Sequence, residues 1–136
     1  MKNIILLFIL LMPFALFGQS KKEVLRYGII TQTIYEVDYE NSNGQEVTHQ
    51  YEKYDENGNM IEYIEYDDRG KPEKHEQYEY DENNQKTKEI KLDNGKIYKV
   101  HEYKYNAQGL KTERKTYDSK HRLLKVKRYE YTYRKE

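Results

Sequence analysis

Sixteen tyrosines stand in a chain of 136 residues that contains neither cysteine nor tryptophan. Six of them, Tyr78, Tyr80, Tyr103, Tyr105, Tyr129 and Tyr131, recur at fixed spacing. A tyrosine offers a flat apolar ring and a hydroxyl, a combination that suits stacking on a sugar or contact with a protein. These six are the candidate binding residues. The same rings could instead pack across strands in place of an aliphatic core.

Other chemistries find little material. Nucleophilic catalysis needs a Ser, Thr or Cys beside an oriented base. Beyond residue 20 the serines are Ser42 and Ser119, both in expected turns. Glutamates alternate with lysines, as in Glu102-Tyr103-Lys104, which reads as a solvated face with cross-strand charge pairs. The stretch Asp55-Glu56-Asn57-Gly58-Asn59 groups oxygen ligands, but a calcium loop needs six to eight with a bidentate acid, and a hairpin turn already explains the Asp and Gly. His49, His75, His101 and His121 lack the close spacing of a zinc or copper pair. No cysteine means no thiolate metal site and no disulfide. The expectation is a non-enzymatic chain with no metal and no cofactor.

The spacing comes from a repeat. Segments starting at Gln45, Lys71, Lys96 and Arg122 align without gaps, at steps of 26, 25 and 26 residues. Their tenth positions are Tyr54, Tyr80, Tyr105 and Tyr131, and their eighth are Glu52, Tyr78, Tyr103 and Tyr129. Gly44, Gly58, Gly70, Gly95 and Gly109 punctuate the halves, with Asp or Asn one to three residues before each. Asp opens a type I turn, Gly takes the left-handed position after it, and a short hairpin ending in a bulge results. Runs rich in Tyr, Val, Ile and Thr lie between the turns and read as strands. The fold class is therefore all-β, an antiparallel hairpin meander of about ten strands with essentially no helix beyond residue 20. Along the strand from Lys96, Tyr98 and Val100 oppose Ile97, Tyr103 and Tyr105, so either a bulge resets the alternation or the sheet twists and curls.

Residues 1–20 have a different character. Met1-Lys2-Asn3 precedes the apolar run Ile4 to Met12, and Gly18-Gln19-Ser20 follows with small and polar residues. That is the layout of a secretory signal peptide, an N-terminal signal helix cleaved most readily after Gly18. The run is short for a spanning helix, so the mature chain is expected to be secreted or periplasmic and not membrane-spanning. Residues 21–136 form one β-repeat domain, with units at about 21–44, 45–70, 71–95, 96–121 and 122–136.

The pattern Tyr-Asp-x-x-Gly resembles the Rhs or YD-repeat family. It is carried by Tyr54-Asp55-Glu56-Asn57-Gly58 and Tyr66-Asp67-Asp68-Arg69-Gly70, with weaker copies at Tyr80-Asp81, Tyr105-Asn106 and Tyr117-Asp118. The resemblance spans about residues 39–131. In that family long arrays wrap into a hollow shell around a toxin or other cargo. This chain has too few strands to enclose anything and lacks an effector region, so the resemblance implies the fold and no toxic role.

The functional expectation is an exported β-repeat module for binding or envelope structure. Its partner would be a protein or glycan of the cell envelope. An accessory role beside a toxin or secretion system is the alternative that the resemblance suggests, and carbohydrate binding through the tyrosine rows is another. Nucleic acid is not expected, because the chain is neutral overall and exported. Neutrality conceals a split. Residues 21–80 hold 15 acidic and 7 basic side chains, and residues 81–136 hold 9 acidic and 16 basic. Opposite charge at the two ends of a linear array would favour weak self-association.

Overall fold

The computed structural model of the protein describes residues 20–40 and 44–134. The expected signal segment lies outside these apart from Ser20. The described chain opens with a short helix, α1 (Lys21–Tyr27). Eight strands follow: β1 (Thr31–Val37), β2 (Glu46–Tyr54), β3 (Met60–Tyr66), β4 (Pro72–Tyr80), β5 (Lys86–Asp93), β6 (Lys96–Tyr105), β7 (Lys111–Asp118) and β8 (Leu123–Arg128). They form one open antiparallel meander in which spatial order equals chain order. Among the described residues no helix is long and apolar enough to cross a membrane.

The meander agrees with the sequence, but among the described residues there are eight strands rather than about ten, and a helix is present. The helix has a local cause. Ser20 caps it by accepting from the Glu23 amide, and the Glu23 carboxylate accepts in return from the Ser20 amide. That reciprocal pair is a capping box. Gly28 closes the other end at φ 64°, a left-handed C-cap. At the far end, residues beyond Arg128 leave the ladder, with Tyr129 making one last amide bond to the Thr112 carbonyl.

One turn recurs five times, started by Asp55, Asp67, Asp81, Asn106 and Asp118. In each, the first residue's amide donates to the carbonyl four residues on, and its own carbonyl accepts from the amide three residues on. The side-chain oxygen accepts from two more amides, two and four residues on. The fourth residue is left-handed: Gly58, Gly70, Asn84, Gly109 or His121. This is the expected Asp-then-Gly loop. Asn84 and His121 show that the side-chain bonds hold it even where glycine is missing. The β5–β6 hairpin differs, with Asn94 and Gly95 both at positive φ, the two-residue turn that matches strand twist.

Every hairpin also carries a bulge, and this settles the alternation. Tyr80 pairs with Lys86 while Glu79 pairs with Lys88, so Thr87 is extra. The same one-residue excess falls at Ile61, Glu73, Thr112 and Leu124. His49 and Tyr98 are the extra residues in β2 and β6. Because of the bulge at Tyr98, Ile97 joins Val100 on one face, while His101, Tyr103 and Tyr105 share the other.

The turns after β2, β4 and β6 lie along one end of the sheet, and the first two are tied together. Lys21 Nζ donates to Asn59 Oδ1 at 2.6 Å, and Asn59 Nδ2 donates to Asn84 Oδ1 at 2.8 Å. Helix α1 packs onto the first of these turns, burying Val24. A Cβ on Gly58 would lie 2.8 Å from Leu25 Cγ of α1, whereas one on Gly70 would meet nothing within 4 Å. Both glycines are left-handed, so Gly70→Ala should cost about 1–2 kcal/mol from backbone strain alone. Gly58→Ala should lower the thermal midpoint further, because Leu25 must move as well. Equal midpoints for the two variants would show that α1 does not rest on this turn.

Candidate functional site

The strand register assigns each side chain to one of two faces. Glu52 pairs with Tyr63, which pairs with Glu76, which pairs with Lys91. Tyr78 pairs with Glu89, which pairs with His101, which pairs with Thr116. Tyr103 pairs with Arg114. Tyr78, Tyr80, Tyr103 and Tyr105 therefore share one face, as their spacing predicts. The Lys111 ammonium lies 4.3 Å from the Tyr103 ring centre and 5.9 Å from that of Tyr129, placing Tyr129 beside them.

Two columns result. In the first, lysines alternate with rings. Lys86 Nζ stands 4.5 Å from the Tyr78 ring centre and 5.9 Å from that of Tyr103, and Lys111 bridges Tyr103 and Tyr129 likewise. Each such contact contributes about 0.5–1 kcal/mol when exposed. In the second column the hydroxyls reach backbone. Tyr80 donates to the Met60 carbonyl at 2.7 Å, Tyr105 to Lys86 at 2.7 Å and Tyr131 to Lys111 at 2.6 Å. Each accepting carbonyl lies just beyond the last pair of its ladder. The hydroxyl fills the place of the missing amide.

The remaining hydroxyls meet carboxylates. Tyr78 donates to Glu76 at 2.6 Å and Tyr103 to Glu89 at 3.1 Å. Tyr63 donates to Glu65, and Tyr54 and Gln50 both donate to Glu52. Glu52 is 1% exposed and Glu76 5%. These glutamates are not the solvated residues that alternation with lysine suggests. The large tyrosine and lysine side chains around them exclude water. The sequence signal is the pattern Glu-x-Tyr, as in Glu52-Lys53-Tyr54 and Glu76-Gln77-Tyr78, since residues two apart share a strand face.

Ionisation follows from this arrangement. Burial works against the Glu76 carboxylate, but the Tyr78 hydroxyl with Lys91 and Lys74 outweighs it and holds the pKa below the ordinary value. Burial likewise opposes Glu89, and Lys86, Lys91 and Tyr103 reverse the balance. Lys91 is pushed up, since Glu76 and Glu89 outweigh its own burial. Burial and a carboxylate partner raise Tyr63 to about 12, and burial with the charge of Asp55 raises Tyr80 to about 12. Burial and a carboxylate partner also shift Tyr54, Tyr78 and Tyr103 upward.

The histidines do not converge. His49 pairs with Glu36 at 3.1 Å, His75 with Glu62 at 2.8 Å, His101 with the Thr116 hydroxyl, and His121 stacks on Tyr117. Among the described residues no three His, Asp or Glu side chains are grouped to hold a metal ion. A cleft of about 360 Å³ lies at the other end of the sheet between Pro72, His75, Leu92 and Tyr98. It contains none of the six candidate tyrosines.

No protein-family profile and no curated protein matches the chain.

Two outcomes test the site. Tyr80→Phe and Tyr105→Phe each remove one hydroxyl-to-carbonyl bond, so each should destabilise by about 0.5–1.5 kcal/mol in denaturant melts. No loss in either would show that these hydroxyls do not close the ladders. The second concerns pH. Glu76 and Glu89 have folded pKa values below their unfolded ones, so their stabilisation is present above about pH 4.5 and lost as pH falls through the folded values. Tyr63 and Tyr80 have raised values, so theirs is present below about pH 10 and lost as pH rises towards 12. Thermal midpoints should form a plateau between those limits. Tyrosinate absorbance from these residues should appear together with unfolding, and its appearance with intact circular dichroism would contradict the burial.

Proposed function

We propose that the protein is an exported, non-enzymatic β-repeat module that binds another macromolecule of the cell envelope. The observation that supports this most is the open, single-layer sheet. Large apolar side chains remain accessible towards its two edges: Ile30 and Tyr35 at one, Leu123, Leu124 and Tyr133 at the other. Exposed apolar patches of this kind mark interaction surfaces. The recurrent Tyr-Asx turns support a kinship of architecture with YD-repeat arrays, and the role proposed is that of a scaffold. Of the tyrosine columns, Tyr131 at 40% exposed is the ring most accessible to a sugar or protein. The hydroxyls of Tyr78, Tyr80, Tyr103, Tyr105 and Tyr131 are engaged internally, and lysines stand over the rings of Tyr78, Tyr103 and Tyr129.

The test is affinity capture from solubilised envelope and culture medium with the purified chain as bait. The expected result is retention of a defined protein or glycan that excess free chain competes away. Retention lost in Tyr131→Ala but kept in Leu124→Ser would place the contact on the tyrosine face. Retention of nothing competable would overturn the binding reading.

A further inference from the structure

The two ends of the sheet complement each other. Among the described residues β1 and β8 each have a strand neighbour on one side only, so each presents a row of backbone groups outward. The phase of those rows can be read. The Tyr129 amide donates to Thr112 of β7, so amides in register with it point inward and those of Val126, Arg128 and Glu130 point outward. At the other end the Ile30 carbonyl accepts from the Tyr54 amide of β2. Thr31, Thr33, Tyr35 and Val37 therefore face outward. The faces follow the same phase. Lys125 pairs with Thr116 and Lys127 with Arg114, so both lie on the tyrosine face, with Val126 and Arg128 opposite. Gln32, Ile34 and Glu36 lie on the tyrosine face of β1, and Thr33, Tyr35 and Val37 lie opposite.

The outward-pointing residues thus belong to the same face at both ends. β8 and β1 also run in the directions that an antiparallel ninth strand would require, because eight strands separate equivalent positions. A second copy could continue the sheet with both faces unbroken. Charge fits as well. Among the described residues, Lys125, Lys127 and Arg128 of β8 have no carboxylate at ion-pair distance, while β1 carries Glu36 and leads into Asp38 and Glu40. Tyr35 is 59% exposed, Val37 37% and Val126 41%.

We propose that β8 of one molecule pairs antiparallel with β1 of the next, head to tail. The register sets Lys127 opposite Glu36, Val126 opposite Val37, Arg128 opposite Tyr35 and Tyr129 opposite Ile34. Lys125 then falls opposite Asp38. The contact is heterologous and extends the sheet rather than closing it.

Sedimentation equilibrium of the full chain at low and high salt tests the contact. The expected result is a mass that rises with concentration to several protomers at low salt and falls towards monomer at high salt. A monomer mass under every condition overturns the proposal. Arg128→Pro removes an outward amide without touching the bonds to β7. It should weaken association at least tenfold while far-UV circular dichroism stays that of the parent. Unchanged association in that folded variant also overturns it. The register has its own readout, since the chain has no native cysteine. Val37→Cys with Val126→Cys should oxidise to a ladder of linked multimers, because directly opposed residues lie about 5.5 Å apart, within disulfide reach. Within one molecule these positions are seven strand spacings apart, roughly 30 Å, and cannot join. Thr33→Cys with Val126→Cys should remain largely unlinked. Equal ladders from both pairs would overturn the register.

Discussion

A single-layer sheet has no second layer to cover it, and this constraint governs the rest of the structure. Among the described residues the buried apolar side chains are Val24, Tyr54 and Tyr103. The hydrophobic area that normally drives folding is scarce. What stands in for a core is one face where tyrosine rings, glutamate carboxylates and lysine ammonium groups are interleaved and satisfy one another. The Glu76 carboxylate shows the principle. It accepts from Tyr78, is flanked by Lys74 at 3.3 Å and Lys91 at 3.0 Å, and is nearly inaccessible to water. A carboxylate that far from water is tolerable only when fully paired. Tyrosine suits this role better than phenylalanine, because its ring supplies area and its hydroxyl supplies the donor that each glutamate or ladder-end carbonyl requires.

The bulges belong to the same logic. A regular hairpin of these sequences would send half of each apolar set to either face. One extra residue per hairpin brings the sets back into phase, so that Tyr54 of β2, Tyr78 and Tyr80 of β4, and Tyr103 and Tyr105 of β6 stay on one side. The five Asx turns fix where five of the seven bulges fall, since every such turn is followed by its extra residue at the second position of the next strand. Turn chemistry therefore sets register, and register sets which side chains meet.

The same dependence decides which parts of the molecule can be read from the chain. The turns are legible because Asp and Gly act locally, and their hydrogen bonds stay within five residues. The grouping of Tyr78, Tyr80, Tyr103 and Tyr105 is legible because the repeat keeps its step nearly constant. Helix α1 is hidden by the repeat, although Ser20 and Glu23 stand at the spacing of a capping box and Gly28 follows at the helix end. The buried glutamates are hidden for another reason. Their surroundings depend on side chains from neighbouring strands, which the linear order of residues does not bring together. Glu76 illustrates this: Tyr78 and Lys74 stand two residues away on its own strand, but Lys91 reaches it from β5.

The repeat also explains why its two ends differ. A tyrosine at the tenth repeat position closes the ladder of the unit before it, as Tyr80, Tyr105 and Tyr131 do. Tyr54 has the same position, but among the described residues the unit before it consists of α1 and β1 rather than two strands. Its hydroxyl turns back to Glu52, its amide bonds to Ile30, and α1 closes over the adjacent turn. Among the described residues the helix thus covers that corner of the sheet, which is the task of a capping element in a solenoid. At the other end Tyr133 reaches back to Gln108 at 2.8 Å, but among the described residues none lies over β8, whose side chains are exposed throughout. Lysine and arginine are the residues that guard such an edge against indiscriminate pairing. Guarding by charge is selective: it repels another basic edge and admits an acidic one.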